Sequence, residues 1–297
     1  MAAHRIRDTM MQIAFIGFGE AGGILARDLA ARCRVVIWDI KLDGEEREAM
    51  LSKAQAAGVH AASSLREAVA DASLVFSTVT ASCAQEVAQQ TAPLLHAQQT
   101  FLDLNSVAPD TKRRSAQSFT QARYIDVAVM APVPPARLAT PLLIGGRDGE
   151  ALTAQLNALG LNARYGAEEV GRVSAIKMCR SVMIKGLEAL TTECLSAARK
   201  YGVENEVLAS LHASFPSLGW DGELPDYLIS RVAEHGARRA AEVREVVSML
   251  NDAGLEGWMS RGTVETQQQM VDKMAAQQIR YADLAPFHWQ TLADKLN

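Results

Sequence analysis

Along the first half of the chain, short apolar runs alternate with segments in which apolar residues recur every three to four positions. Runs at residues 12–17, 34–39, 74–78, 101–105 and 124–129 are rich in Val, Ile, Leu and Phe. Nearly continuous apolar runs of this length suit strands buried on both faces of a sheet. Helical patterns lie between them, at 21–31, 45–56, 64–70, 82–95 and 109–118. Two further strand candidates, 141–145 and 163–165, flank a helix at 149–159 and follow the rigid stretch Ala131-Pro-Val-Pro-Pro135. This rhythm predicts an α/β domain built on a doubly wound parallel sheet. From about Gly166 the strand signals stop. A long helical pattern runs from Val170 to about Tyr201, followed by helices at 204–214, 225–234, 238–253 and 263–276. Pro216, Gly219, Gly222 and Pro225 mark one break, Gly254 and Gly257 another. The expected organisation is a first domain over 1–166 and an all-α second domain over 167–297, joined by the long helix, without internal repeats.

The junction of the first strand and first helix carries a glycine pattern. Gly17, Gly19 and Gly22 form G-x-G-x-x-G directly after the strand. In a Rossmann-type domain the first glycine allows the tight turn, the second lets a pyrophosphate approach the backbone, and the third lets helix and strand pack closely. The helix start offers N–H groups and its positive dipole end to the phosphates. The whole turn, Gly17, Phe18, Gly19, Glu20, Ala21 and Gly22, is therefore assigned to a dinucleotide. The second strand ends in Asp39, placed to accept from both adenosine ribose hydroxyls. A carboxylate there favours NAD over NADP, although Lys41 lies close by and leaves NADP possible. Ligands in open parallel sheets bind at the carboxyl ends of strands, which adds Val79, Thr80 and Asn105 to the expected cofactor contacts.

Composition narrows the partners. The chain has 297 residues, enough for two domains. A net charge of −4 argues against nucleic acid or an anionic membrane as the main partner. No apolar run reaches the roughly 20 residues that a membrane span needs. The leader, Met1-Ala-Ala-His-Arg-Ile-Arg-Asp-Thr-Met10, lacks the apolar core of a secretory signal and reads as an extension before the first strand. The four cysteines show no metal-like spacing and the six histidines no cluster. They predict reduced thiols in a cytoplasmic protein without a bound metal.

Two segments carry candidate chemistry. Asp103-Leu-Asn105-Ser106-Val-Ala-Pro109 ends the fifth strand, where a nicotinamide and a substrate would meet. Asn105 and Ser106 either serve that meeting point or simply cap the helix begun by Pro109. In the long helix, Ser174, Lys177, Ser181, Lys185, Glu188 and Thr192 share one stripe at about 100° per residue, with Arg180 on its flank. Such a stripe suits a solvated face, but the apolar arc here is wide enough to bury most of the helix. Buried cations need partners or a function. A partly desolvated lysine has a depressed pKa and can exchange a proton near neutral pH.

These residues resemble the β-hydroxyacid dehydrogenase superfamily, which includes 3-hydroxyisobutyrate dehydrogenase, tartronate semialdehyde reductase and 6-phosphogluconate dehydrogenase. The likeness rests on the glycine fingerprint, on Asp103-x-Asn105-Ser106-x-x-Pro109, on Asp126-Val-Ala-Val-Met-Ala131-Pro132-Val133 and on Gly166 through Lys177. The resemblance implies that Lys177 is the proton donor and acceptor. Where the family has Ser-Gly-Gly, whose amides hold the substrate carboxylate, this chain has Pro134-Pro135-Ala136-Arg137, and prolines lack N–H donors. Ser181 stands where an Asn is usual and Arg180 where phosphogluconate dehydrogenases have His. Lys185-Gly-Leu-Glu-Ala-Leu and His235-Gly-Ala-Arg238-Arg239 are similar to a subgroup with a C-terminal domain of unknown function, DUF1932.

The resemblance implies an NAD(P)-dependent dehydrogenase acting on CH–OH of a small acidic substrate, in a homodimer or higher homo-oligomer. Asn105, Ser106, Arg180, Ser181 and Lys185 are the expected substrate contacts. An imine reductase of the same fold and a dinucleotide-binding sensor without turnover are the alternatives. His235 and Arg238 either reach a partner's active site or form an exposed cationic face paired with Glu234 and Glu242.

Overall fold

The computed structural model describes residues 11–296, so the leader segment lies outside the described residues. The chain divides into one unit ending at Lys177 and a second beginning at Met178. The division falls inside the long helix, Arg172–Tyr201, rather than ahead of it at Gly166. The first turns of that helix belong to the sheet unit because Val173, fully buried, packs with Ala128 and Ala167.

Eight strands form one sheet: β1 Gln12–Ile16, β2 Arg34–Trp38, β3 His60–Ala61, β4 Leu74–Ser77, β5 Thr100–Asp103, β6 Arg123–Val129, β7 Pro141–Gly145 and β8 Asn162–Ala167. Their spatial order is β3-β2-β1-β4-β5-β6-β7-β8, with every pairing parallel except β6 against β7. The short β3 has no apolar run and escaped the sequence pattern. Helices α1 Glu20–Leu29, α2 Arg47–Ala56, α3 Leu65–Val69, α4 Ala84–Thr91, α5 Pro109–Gln117, α6 Val133–Ala136 and α7 Gly149–Ala158 connect the strands. The stretch expected to be a rigid proline-rich spacer thus contains the single turn α6, which prolines tolerate at its start because the N–H they lack has no helical partner there. The sheet core contains Phe15 stacked on Phe76, with ring centroids 4.8 Å apart.

Register aligns the carboxyl ends of the central strands. Ile16 lies opposite Trp38 and Ser77, Ser77 opposite Asp103, and Asp103 opposite Asp126. The last pairing puts two wholly buried carboxylates side by side, which would be destabilising alone. Lys112 of α5, also fully buried, resolves it. Its ammonium group lies 3.0 Å from Asp103 Oδ1 and 3.3 Å from Asp126 Oδ1, and it donates to the Asp103 carbonyl at 2.7 Å. Tyr124 donates its hydroxyl to Asp103 Oδ2 at 2.6 Å. Burial and the neighbouring Asp103 carboxylate hold that phenol well above its ordinary pKa, so it stays a donor.

After the long helix, α8 Arg172–Tyr201, the second unit adds α9 Glu204–Ser214, α10 Leu224–Asp252, α11 Trp258–Ala276 and α12 Trp289–Lys295. The two helices expected at 225–234 and 238–253 are one, because Gly236 serves close packing rather than a break. A Cβ on Gly236 would stand 2.4 Å from the Gln267 carbonyl oxygen of α11. Leu195, Ile229, Val232, Met270, Trp289 and Leu292 form the apolar centre of this unit. Helix α12, absent from the sequence expectation, supplies two of them. No helix among the described residues is long and apolar enough to cross a membrane.

Three outcomes are expected from this packing. Lys112→Met strands two buried carboxylates and should cost the sheet unit about 3–5 kcal/mol, read from the urea midpoint; an unchanged midpoint would contradict the charge balance. Gly236→Ala should lose about 1–3 kcal/mol by overpacking, visible as a lower melting temperature. Burial pushes the Cys33 thiol up to about 11, whereas Cys83, Cys179 and Cys194 are exposed. A chromogenic disulfide reagent should therefore react quickly with three thiols in the native protein and with the fourth only after denaturation.

Candidate functional site

The glycine turn follows β1 and ends at α1. Gly17 has φ +88°, and a Cβ there would stand 2.6 Å from the Thr78 carbonyl oxygen and 2.9 Å from Val79 Cγ1. A Cβ on Gly22 would meet Thr78 Oγ1 at 2.4 Å and the Gly17 carbonyl at 2.5 Å. Both glycines are thus required by contact with the end of β4. Gly19 is different: a Cβ there would have no protein atom within 4 Å. That space lies at the N-terminus of α1, whose N-cap is Gly19 itself with no capping side chain. An open backbone cradle at a helix N-terminus fits a pyrophosphate.

Asp39 accepts from the Phe18 N–H at 2.7 Å and from the Lys41 N–H at 3.0 Å. It holds the turn while remaining half-buried at the end of β2. Lys41 is drawn to Glu46, at 2.7 Å, and this bond raises its pKa. Val79 packs over Gly17, and Thr80 is exposed with its hydroxyl 3.2 Å from Ser82 Oγ. The sequence reading passed over Thr78, whose hydroxyl donates to the Gly17 carbonyl at 2.7 Å. A polar residue just past an apolar strand was the available signal.

At the end of β5, neither Asn105 nor Ser106 stands at the N-cap position of α5, which is Ala108. Asn105 instead donates its amide to Ser77 Oγ at 2.9 Å and to Asp103 Oδ1 at 2.8 Å. Because Asp103 accepts from three other groups, the amide nitrogen must face it. Asn105 Oδ1 is then a buried acceptor with no hydrogen-bond partner. An orphaned acceptor of this kind fits a ligand N–H or O–H.

Ser106 Oγ accepts from Lys177 Nζ at 2.5 Å. Asp126 makes that meeting possible by pinning the start of α8. Its Oδ2 accepts from the Gly171 N–H at 3.0 Å and the Ser174 N–H at 3.3 Å, and its Oδ1 accepts from Ser174 Oγ at 2.7 Å. A carboxylate at a helix N-terminus is electrostatically favourable. Lys177 follows three residues after Ser174, hence on the same face. The buried Asp103–Lys112–Asp126 group therefore fixes both ends of the Ser106–Lys177 contact.

The rest of the stripe lies in the second unit and is internally paired. Lys185, almost fully buried, lies 3.0 Å from Glu242 and 3.3 Å from Ser181 Oγ. Glu188 lies 3.1 Å from Arg239 and accepts from Gln267 at 3.2 Å. Burial raises the Glu188 pKa and lowers that of Arg239, each opposed by the other's charge. Arg180 is exposed. His235 lies 3.2 Å from Glu234 and Arg238 3.5 Å from Glu242. Within this chain, then, both residues have acidic neighbours on their own helix, and burial lowers the His235 pKa. Beyond Pro132, Arg137 forms a two-pronged ion pair with Asp28 of α1, at 2.9 and 2.5 Å.

Known proteins match both parts of the chain. The family described as the NAD binding domain of 6-phosphogluconate dehydrogenase matches residues 12–166, more than half of the chain. The domain of unknown function DUF1932 matches residues 198–270. A conserved hypothetical protein from Sinorhizobium meliloti 1021 is 36% identical, covers 98% of both chains and superposes with a TM-score of 0.79. A conserved protein of unknown function with structural similarity to 3-hydroxyacid dehydrogenases is 28% identical, covering 88% of this chain and 97% of its own, with a TM-score of 0.73. The mitochondrial 3-hydroxyisobutyrate dehydrogenase of Drosophila melanogaster is 25% identical over 71% of this chain and 66% of its own length. Glycine cradle, aligned strand ends and these matches together show that the chain belongs to the β-hydroxyacid dehydrogenase superfamily, as an NAD-binding domain followed by a DUF1932 domain.

Proposed function

We propose that the protein is an NAD-dependent dehydrogenase of a small hydroxy acid, with Lys177 as general base and acid. The observation that carries this reading is the 2.5 Å contact of Lys177 Nζ with Ser106 Oγ, beside the orphaned Asn105 Oδ1. Residues Gly17 to Gly22 and Asp39 would hold the dinucleotide, with Val79 and Thr80 flanking it. A dinucleotide bound there would supply the hydride acceptor for the carbinol carbon. Lys177, as the neutral amine, takes the hydroxyl proton of that same carbon and returns it in the reverse direction. Ser106 holds the Lys177 nitrogen in place, and Asn105 Oδ1 accepts from a carboxamide or hydroxyl. Carboxylate at Asp39, together with the engagement of Lys41 by Glu46, favours NAD over NADP. A 2′-phosphate at that place would meet a negative charge and no uncommitted cation from Lys41.

The substrate carboxylate needs a cation, since Pro134 and Pro135 cannot supply amide donors. Arg180, exposed and three residues beyond Lys177 on α8, is the residue we assign to it. Lys185 is less suited because Glu242 already neutralises it.

A panel of 3-hydroxy acids and imines, followed by NADH absorbance, separates the dehydrogenase from an imine reductase; tight NADH binding without turnover of either class would favour a sensor. With the substrate found, Lys177→Ala should reduce turnover by about 10²–10⁴-fold while NADH affinity stays nearly unchanged. Full turnover in that variant would sink the assignment.

A further inference from the structure

The glycine turn needs glycines for space, and glycine is also the residue that most readily lets a peptide plane rotate. The peptide planes around Gly19 are the ones whose N–H groups a pyrophosphate would use. Something must hold them. The plane between Gly17 and Phe18 is fixed at both ends, with its N–H on Asp39 and its carbonyl on the Thr78 hydroxyl. The next two planes, Phe18–Gly19 and Gly19–Glu20, are held through their carbonyls by a residue from outside the motif, the Gly19 carbonyl also taking the Gly23 N–H of α1 at 3.1 Å. Lys53 of α2 donates to the Phe18 carbonyl at 2.5 Å and to the Gly19 carbonyl at 3.0 Å.

The same ammonium group sits 4.8 Å from the centre of the Phe18 ring, close enough for a cation–π attraction. Gly23 lies alongside it: a Cβ there would be in ordinary contact with Lys53 Nζ, at 3.4 Å. Burial lowers the Lys53 pKa, while Asp39 opposes that shift. The sequence pattern placed this lysine in the helix at 45–56 without singling it out.

We propose that Lys53 is a positioning residue for the dinucleotide. In a trans peptide the C=O and the following N–H point in opposite directions. By holding the Phe18 and Gly19 carbonyls on its own side, Lys53 turns the Gly19 and Glu20 N–H groups to the other side, where Gly19 leaves space and α1 begins. Asp39 and Lys53 thus act as a charged pair of fingers on the backbone, one on an N–H and one on two carbonyls. Donors aligned in advance lose less free energy on binding than donors that must be ordered by the ligand. The inference rests on NAD binding at this turn.

The test uses the full-length protein, NADH fluorescence and ADP-ribose competition. Lys53→Met should raise the dissociation constants of NADH and ADP-ribose by about tenfold, the size of one lost charged hydrogen bond. The melting temperature of the unliganded protein should shift by no more than about 2 °C, far less than loss of a buried packing group would cause. Lys53→Arg, which keeps a cationic donor, should recover most of the affinity. Dissociation constants of Lys53→Met within twofold of the native values would overturn the proposal. So would an affinity loss that Lys53→Arg shares in full, or one accompanied by a large fall in melting temperature. Failure of the native protein itself to bind NADH would instead overturn the cofactor assignment.

Discussion

One buried ion group, Lys112 with Asp103 and Asp126, is the constraint on which the rest of the site depends. Two carboxylates on adjacent strands at matching register would repel in a medium without water. The lysine between them removes the repulsion and ties α5 to β5 and β6. Each carboxylate then has lone pairs left for other work. Asp103 orients Asn105 and takes the Tyr124 hydroxyl. Asp126 takes the first N–H groups of α8. Buried charges of this kind contribute little net stability compared with apolar packing, but they specify geometry because an unpaired member is costly. Here the geometry specified is the place of Lys177.

The cofactor end depends on a different balance. Its backbone must be bare enough for a pyrophosphate and rigid enough to meet it. Contacts with Thr78 leave Gly17 and Gly22 no alternative residue, whereas Gly19 faces open space. Rigidity comes from side chains that bind the backbone: Thr78, Asp39 and Lys53. Asp39 therefore has two jobs, holding the turn and presenting a carboxylate where a ribose would lie. Under the proposed function, this dual engagement ties a preference for NAD to the shape of the turn.

Much of this was legible in the sequence. Strand and helix positions follow from apolar periodicity because each element buries a face dictated by its own repeat. The glycine fingerprint and Asp39 were legible because their residue types and spacing form a recurring pattern, although the contacts that require them, with Thr78 and the Phe18 N–H, lie far along the chain. Gly236 was misread for the converse reason. A glycine within a helical pattern resembles a break, and only the passage of the Gln267 backbone against it shows why the helix continues. Helix α12 was missed because seven residues, about two turns, carry too little apolar periodicity to register.

The sequence alone determined the α/β order of elements, the all-helical second half, the dinucleotide turn and the residues Asn105, Ser106 and Lys177 as candidates. It left open whether Asn105 and Ser106 cap a helix or serve a ligand. Tertiary structure supplied partners that the sequence could not name, because they lie distant along the chain: Ser77 for Asn105 and Lys177 for Ser106. It also decided which cations are structural. The sequence singled out Lys185 as an expected substrate contact and drew nothing from Lys53 or Lys112. Folding places one on carbonyl oxygens, one between carboxylates and one against a glutamate, and a charge takes its meaning from the groups that replace its water.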